Sequence, residues 1–184
     1  MIGIDEAGRG SLIGSVYACA CFFETGTLEF ENELKDSKKL SELQRLTIYK
    51  KLITSSNVKF ALGFATLEEI EKLNILNASL LAMERAFNKL NITNKQVLID
   101  GNKKPKNLEF AQCIIKGDTK IKQISAASII AKVERDLYIN KIAEEEPKYL
   151  FQKNKGYGTK AHIEAIKNYG ISKFHRPSFL RKII

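Results

Sequence analysis

Four acidic residues stand where apolar, extended segments run out. Asp5-Glu6 ends Ile2-Gly3-Ile4 and leads into Ala7-Gly8-Arg9-Gly10. Asp100 ends the run from Gln96 and precedes Gly101-Asn102, and Asp118 follows Lys116-Gly117 just after the next apolar run. A carboxylate beside a core is costly unless water, a partner or a metal takes up its charge. Several together also repel one another, so a group of three or four implies bound cations. With only two histidines in the chain, the hard oxygen donors point to Mg²⁺ or Mn²⁺ rather than zinc. Two such ions about 3.5–4 Å apart activate a water and stabilise the leaving oxygen of a phosphodiester. The competing reading makes these residues turn formers and helix caps, since Asp before Gly commonly turns the chain. It weighs most on Asp118 and least on Asp5-Glu6. The Gly8-Arg9-Gly10 loop is neither a Walker A loop nor a dinucleotide fingerprint, because no Gly-Lys-Ser/Thr and no third glycine follow. Glycines beside paired carboxylates do let backbone approach a sugar-phosphate closely.

Strands and helices must bring these residues together. Ile2 and Ile4 alternate with Gly3 and Asp5, Val16–Phe23 is β-branched, aromatic and small, and Val58, Phe60, Leu62 and Phe64 alternate with smaller or polar residues. Each reads as a strand, as do the short apolar runs 96–100 and 110–116. Ser41 with Gln44 forms a capping box that opens a helix through Ser55, with Leu43, Leu46, Tyr49 and Ile53 expected on its inner side. Thr66 with Glu69 opens a short helix. A longer one follows, carrying Leu76, Leu80, Met83, Phe87 and Leu90 as a core stripe. Ser125–Ala143 reads as a helix with Ile129, Ile130, Val133 and Leu137 inward, and a further helix is expected over Thr159–Tyr169, with another near the end. The order predicts an α/β fold: a mixed β-sheet flanked by helices, with a basic helical C-terminal segment.

The 184 residues suffice for one domain with a proper core. Three cysteines, two of them inside an apolar stretch, read as buried thiols in a reducing compartment. Met1–Asp5 lacks the basic start of a signal peptide, and Val16–Phe23 is too short to span a bilayer, so a soluble, cytoplasmic protein is expected. The net charge of +9 is unevenly spread: residues 1–34 hold one basic and six acidic residues, whereas residues 103–184 hold eighteen basic and eight acidic ones. An acidic N-terminal stretch beside a basic C-terminal half suits a cation-holding site inside a surface that attracts phosphates. A lysine-rich proteome would give the same excess for solubility alone.

The string Gly3-Ile4-Asp5-Glu6-Ala7-Gly8-Arg9-Gly10 strongly resembles the N-terminal signature of bacterial ribonuclease HII. The likeness continues in order through Asp36-Ser37-Lys38-Lys39-Leu40-Ser41, Leu73-Asn74-Ile75-Leu76, Ile99-Asp100-Gly101-Asn102 and Lys116-Gly117-Asp118. It continues again through Ser125–Val133 with Arg135-Asp136, Lys155-Gly156-Tyr157-Gly158-Thr159 and His175-Arg176-Pro177-Ser178-Phe179. The chain departs from the family at Ser11 and Ser15, where proline is usual, and this puts the rigidity of that loop in question.

The resemblance implies an endoribonuclease of ribonuclease H-like fold. It would hydrolyse the RNA strand of RNA/DNA hybrids and cut 5′ of single ribonucleotides embedded in duplex DNA, leaving 3′-hydroxyl and 5′-phosphate ends, with a role in ribonucleotide removal. It implies that Asp5, Glu6, Asp100 and Asp118 are catalytic and bind two divalent ions, Mn²⁺ or Mg²⁺. By the same likeness, Gly8, Arg9 and Gly10 contact the ribose 2′-hydroxyl and Tyr157 packs on the sugar. That hydroxyl is the group that tells RNA from DNA. Tyr157 also reads as a buried anchor for the C-terminal helices. Lys38, Lys39, Lys155 and Lys160 are candidate phosphate contacts or solvated charges, and His162 and His175 structural or surface groups. Residues 1–143 are expected to form the catalytic domain and 144–184 a helical segment packed on it that completes the substrate site. The expected partners are RNA/DNA hybrid and ribonucleotide-containing duplex DNA, with no membrane, for a monomer that carries no clear sliding-clamp motif. Two rivals remain. Ribonuclease HIII has a related core, normally behind an extra N-terminal domain for which there is no room ahead of Asp5; the other is an RNA-binding module that lost its chemistry.

Overall fold

The computed structural model describes residues 1–25 and 27–181. Strand β1 (Ile2–Ala7) pairs antiparallel with β2 (Val16–Phe23), which pairs antiparallel with β3 (Val58–Ala65). On its other side β1 pairs parallel with β4 (Val97–Asp100), and β4 with β5 (Gln112–Ile114). The result is the mixed sheet that the run of strands and helices predicts, five-stranded and in the order β3-β2-β1-β4-β5. Side chains alternate across a strand. Ile2 and Ile4 thus join one core beneath α2 (Leu67–Leu90), while Gly3, Asp5 and Ala7 belong to the opposite face, covered by α1 (Glu42–Thr54) and α3 (Lys122–Glu145).

Both helix layers approach the sheet through a glycine. A Cβ on Gly63 would overlap the Ala82 carbonyl oxygen and the Ala86 nitrogen, so α2 lies against β3 along its Ala78, Ala82 and Ala86 face. A Cβ on Gly3 would overlap the backbone of Gln123 and Ile124, which seats the first turn of α3 on β1. Within α2 the helix breaks at Asn74, whose φ of 67° and ψ of 163° interrupt the hydrogen-bond ladder. Its side-chain oxygen accepts from the Asn77 backbone N–H at 3.1 Å and so caps the second segment. This break separates the short and long helices that the capping signals predict. The Ser41–Gln44 and Thr66–Glu69 capping boxes both form.

The inner faces differ from the expected ones in three places. In α1 the buried residues are Ile48 and Leu52, four apart on one face, while Leu43 and Ile53 lie off that face and are exposed. In α3 Leu137 is exposed although Ile129, Ile130 and Val133 are buried. The expected strand over 110–116 shrinks to the edge strand β5, and Phe110 and Ile115 are exposed, because one side of β5 has no strand to cover it. Helix α3 also starts three residues earlier than its composition suggests.

Helices α4 (Phe151–Asn154), α5 (Lys160–Tyr169) and α6 (Pro177–Leu180) gather around a separate apolar cluster in which Tyr149, Phe151 and Ile166 pack on Leu12, Ile13 and Ile139. The basic C-terminal stretch is thereby bound to the loop that follows β1 and to the end of α3. The further helix expected near the chain end is α6, and residues 182–184 lie outside the described residues. Among the described residues no helix is long and apolar enough to cross a membrane. The three cysteines are free thiols, with Cys19 and Cys21 buried.

Since the first turn of α3 rests on a bare α-carbon, Gly3→Ala should destabilise the fold by about 1–3 kcal/mol through overpacking against rigid backbone. Urea unfolding checks this, and an unmoved midpoint would refute the close-packing account.

Candidate active site

The parallel pairing of β1 and β4 sets Ile4 beside Ile99, and one step further along the same register Asp5 lies beside Asp100. Neighbouring strands are only about 4.8 Å apart, so both carboxylates open toward the α3 face near the C-terminal ends of these two interior strands. Each is partly held by backbone. Asp5 Oδ1 accepts from the Glu6 N–H at 2.7 Å, and Asp100 Oδ1 accepts from the Gly117 N–H at 2.6 Å. Gly117 allows that approach, because a Cβ there would stand 2.6 Å from Ile124 Cδ1.

The electrostatics follow from burial. Asp5 is pushed well above the ordinary aspartate value, first by burial, then by the charges of Glu6 and Asp100. Glu6 is raised by burial as well, against the opposing pull of Arg9, whose Nη1 reaches Glu6 Oε1 at 3.3 Å. Asp118 is raised by burial, then by Asp100 and Asp36, with Lys38 opposing. A Ser128 hydrogen bond relieves Asp5 in part. A hydroxyl has one proton, so with Ser128 donating to Asp5 it is Ser37 that donates across the 2.9 Å between the two hydroxyl oxygens.

These groups line a cavity of about 370 Å³. Asp5, Glu6 and Asp100 meet the Gly8-Arg9-Gly10 loop, Lys38 and Tyr157 there, joined by Ser37, Ser128 and Lys132. Asp118 is coupled to Asp100 by charge but is not among the lining residues. Lys39, Lys155 and Lys160 also lie outside the lining. Lys155 is turned to Asn140 at 3.0 Å and Glu42 at 3.6 Å, and Lys160 is 92% exposed. Among the described residues no three Asp, Glu, His or Cys side chains converge as an ion cage. Asp5, Asp100 and Glu6 each have one oxygen engaged by backbone or Arg9, which leaves the second oxygen of each carboxylate open to a ligand. The donor set nonetheless suits hard cations: oxygen-only, mutually repelling, and poorly neutralised by protein groups.

Several residues near the cavity escape a reading based on strand ends. Ser128, Lys132 and Arg135-Asp136 recur at helical spacing along α3, the signal that could have grouped them on one face. Lys132 Nζ lies 2.7 Å from Asp136 and 5.4 Å from the centre of the Tyr157 ring. Arg176, fully buried, donates from Nη1 to the carbonyls of Gly8, Arg9 and Ser11 and from Nε to that of Gly14. The loop is held further by Ser11, which stands where the family usually has proline. Its buried hydroxyl lies 3.1 Å from the Ile13 carbonyl and 3.2 Å from that of Gly156, and accepts from the Ile13 N–H. Ser15 is buried, and no contact in the structure explains it. Tyr157 is half-buried, with its ring in the cavity wall. Beneath its loop His162 Nδ1 lies 2.9 Å from the Tyr157 carbonyl, and His162 Nε2 lies 3.1 Å from His175 Nε2. Both histidines are buried and structural. Burial, then His162, pushes His175 down to about 4.

Asp5 holds its proton more tightly when folded than when unfolded. Its favourable contribution is therefore present at low pH and lost as the pH rises through the folded-state value. In metal-free buffer, Asp5→Asn should flatten this fall and leave the neutral-pH melting temperature equal or higher. Thermal unfolding across pH reads this, and a clearly lower neutral-pH midpoint would contradict the electrostatic account.

The family model for Ribonuclease HII matches residues 2–182. Ribonuclease HII of Pelagibacter ubique (strain HTCC1062) is 51% identical over 181 residues, covering 97% of this chain and 95% of that protein. The crystal structure of ribonuclease H2 from Pyrococcus horikoshii OT3 superposes with a TM-score of 0.77 at 29% identity, covering 99% of this chain and 95% of that one. The PCNA:RNase HII complex from Archaeoglobus fulgidus gives 0.76 at 23% identity, covering 95% of this chain and 92% of that one, a likeness of fold. The sequence match along nearly the whole chain and the shared sheet and helix layers lead to one conclusion: this chain belongs to the ribonuclease HII family.

Proposed function

We propose that this ribonuclease HII cleaves the RNA strand of RNA/DNA hybrids and nicks duplex DNA on the 5′ side of a single embedded ribonucleotide, leaving 3′-hydroxyl and 5′-phosphate ends. One observation carries the reading: Asp5, Glu6 and Asp100 share a cavity with the Gly8-Arg9-Gly10 loop and Tyr157. Carboxylates for cations thus stand within reach of groups that can read a sugar. Asp5, Glu6, Asp100 and, from the flank, Asp118 hold two divalent ions, Mg²⁺ or Mn²⁺. When bound, such ions supply water activation and charge stabilisation at the phosphodiester.

The protein's own groups do the rest. The glycine loop meets the 2′-hydroxyl with backbone, Tyr157 packs its face on the sugar, and Lys38 draws in a phosphate. Residues 1–143 supply the carboxylates. Residues 144–184 complete the substrate site, a division supported by Tyr157 in the cavity wall and by Arg176 under the glycine loop. The free buried thiols favour a cytoplasmic place of work on ribonucleotide-containing DNA.

Asp5→Asn or Asp100→Asn should lower cleavage on the order of a hundredfold or more while the fold persists, and Asp118→Asn should cost less. Near-normal turnover of Asp100→Asn at saturating Mg²⁺ would defeat the assignment. Binding to hybrid duplex should weaken steeply with salt through counterion release. A flat salt response would reduce the lysine surplus to a solubilising role.

Three labelled duplexes test the substrate reading on one gel. The single-ribonucleotide duplex should be nicked on the 5′ side of that residue, the uniform hybrid cut at many positions, and the all-DNA duplex left whole. Cutting of the hybrid alone would sink the single-ribonucleotide reading.

A further inference from the structure

Arg135 is a buried cation that the chemistry above does not use. It is fully buried in α3, and it is absent from the cavity lining. A guanidinium offers five N–H donors. Here Nη1 donates to the Lys155 carbonyl at 3.1 Å, while Nε and Nη2 have no partner. The nearest carboxylate, Asp136, stays 3.9 Å from Nη1, beyond hydrogen-bond reach. Burying a charge with donors left over is costly, and an apolar residue of similar volume is often at least as stable. Stability therefore gives no reason for an arginine at this position.

Its neighbours do. On one side the guanidinium lies against the bare α-carbon of Gly8, where φ is +98° and a Cβ would overlap Arg135 Nε and Cδ. On the other, Arg135 Cζ lies 5.5 Å from the centre of the Tyr157 ring, within cation–π range. One rigid, planar side chain thus touches both elements assigned above to the ribose. Arg176 holds the glycine loop by its carbonyls, whereas Arg135 spans from that loop to the tyrosine. We propose that Arg135 is a positioning residue: it sets the spacing between the Gly8-Arg9-Gly10 loop and Tyr157, and so sets the preference for a single embedded ribonucleotide over a uniform hybrid. This inference rests on the ribose-reading role of that loop and of Tyr157. A lone ribonucleotide presents one 2′-hydroxyl in one register, so recognition depends on that spacing. A uniform hybrid presents many registers and tolerates its loss.

The test measures kcat/KM on both duplexes for wild type, Arg135→Met, Arg135→Lys, Tyr157→Ala and the Arg135→Met/Tyr157→Ala double variant, with thermal unfolding alongside. Arg135→Met should lower the ratio of single-ribonucleotide to hybrid cleavage by about tenfold. Arg135→Lys, which keeps the charge and loses the planar fork, should fall between. The double variant should be no less selective than Tyr157→Ala alone, because the two side chains act as one unit. Equal losses on both substrates, or a ratio that falls further in the double variant, overturn the proposal. Where Arg135→Met does not fold, Arg135→Lys carries the same readout. A lowered ratio in Tyr157→Ala beside an unchanged one in both Arg135 variants overturns the role of Arg135 and leaves the reading of Tyr157 standing. An unchanged ratio in Tyr157→Ala overturns that reading, and this inference with it.

Discussion

Two aspartates on adjacent parallel strands, Asp5 buried and Asp100 half-buried beneath a helix, set the terms for the rest of this structure. The β1–β4 register makes the proximity of Asp5 and Asp100 unavoidable, and burial removes the water that would screen them. The surroundings answer this strain locally. The Gly117 N–H is brought onto Asp100 by a turn in which Lys116 takes a left-handed conformation, and the Ser37–Ser128 hydroxyl chain leads to Asp5. Arg9 holds Glu6 from the solvent side. Helix α3 can lie close enough to supply Ser128 and Lys132 because Gly3 clears its first turn. The repulsion that remains is what a pair of divalent cations would relieve. On the function proposed above, the ability to hold cations and the cost of the metal-free fold have one origin.

The second constraint is the irregular loop beside those carboxylates. A segment without regular secondary structure must satisfy its carbonyls by other means. Here Arg176 takes up four of them from the far end of the chain, and Ser11 ties the loop to Gly156. Proline would stiffen such a loop by fixing φ; a buried hydroxyl that accepts from the Ile13 N–H and shares its one proton between the Ile13 and Gly156 carbonyls stiffens it by cross-linking instead. The departure from the family pattern at Ser11 therefore changes the means of rigidity. The His162–His175 pair extends the same framework under Tyr157. With His175 held neutral down to about pH 4 by burial and its partner, this support does not switch across physiological pH.

Much of this was legible in the residues alone. Strand alternation, two capping boxes and the glycine-flanked carboxylates act over a few residues, so Asp5, Glu6 and Asp100 could be placed at strand ends, and the α/β layering followed from the order of elements. The motif strings extended this to the glycine loop and Tyr157. Tertiary structure decided the rest, because each undecided point depends on what lies across the molecule. Leu43 and Leu137 fit an apolar stripe, yet among the described residues nothing packs over the face that carries them, although Ile139 and Ile142 further along α3 are buried. Phe110 and Ile115 fit a buried strand, yet β5 is an edge. Lys155 carries the right charge in the right motif, but its side chain is drawn to Asn140 and Glu42. Above all, Arg135 and Arg176 stand within the motif strings, yet nothing in the sequence gives either of them a task. Only the packing of α3 and the C-terminal helices on the Gly8–Gly14 loop, across more than 120 positions of chain, turns them into its internal supports.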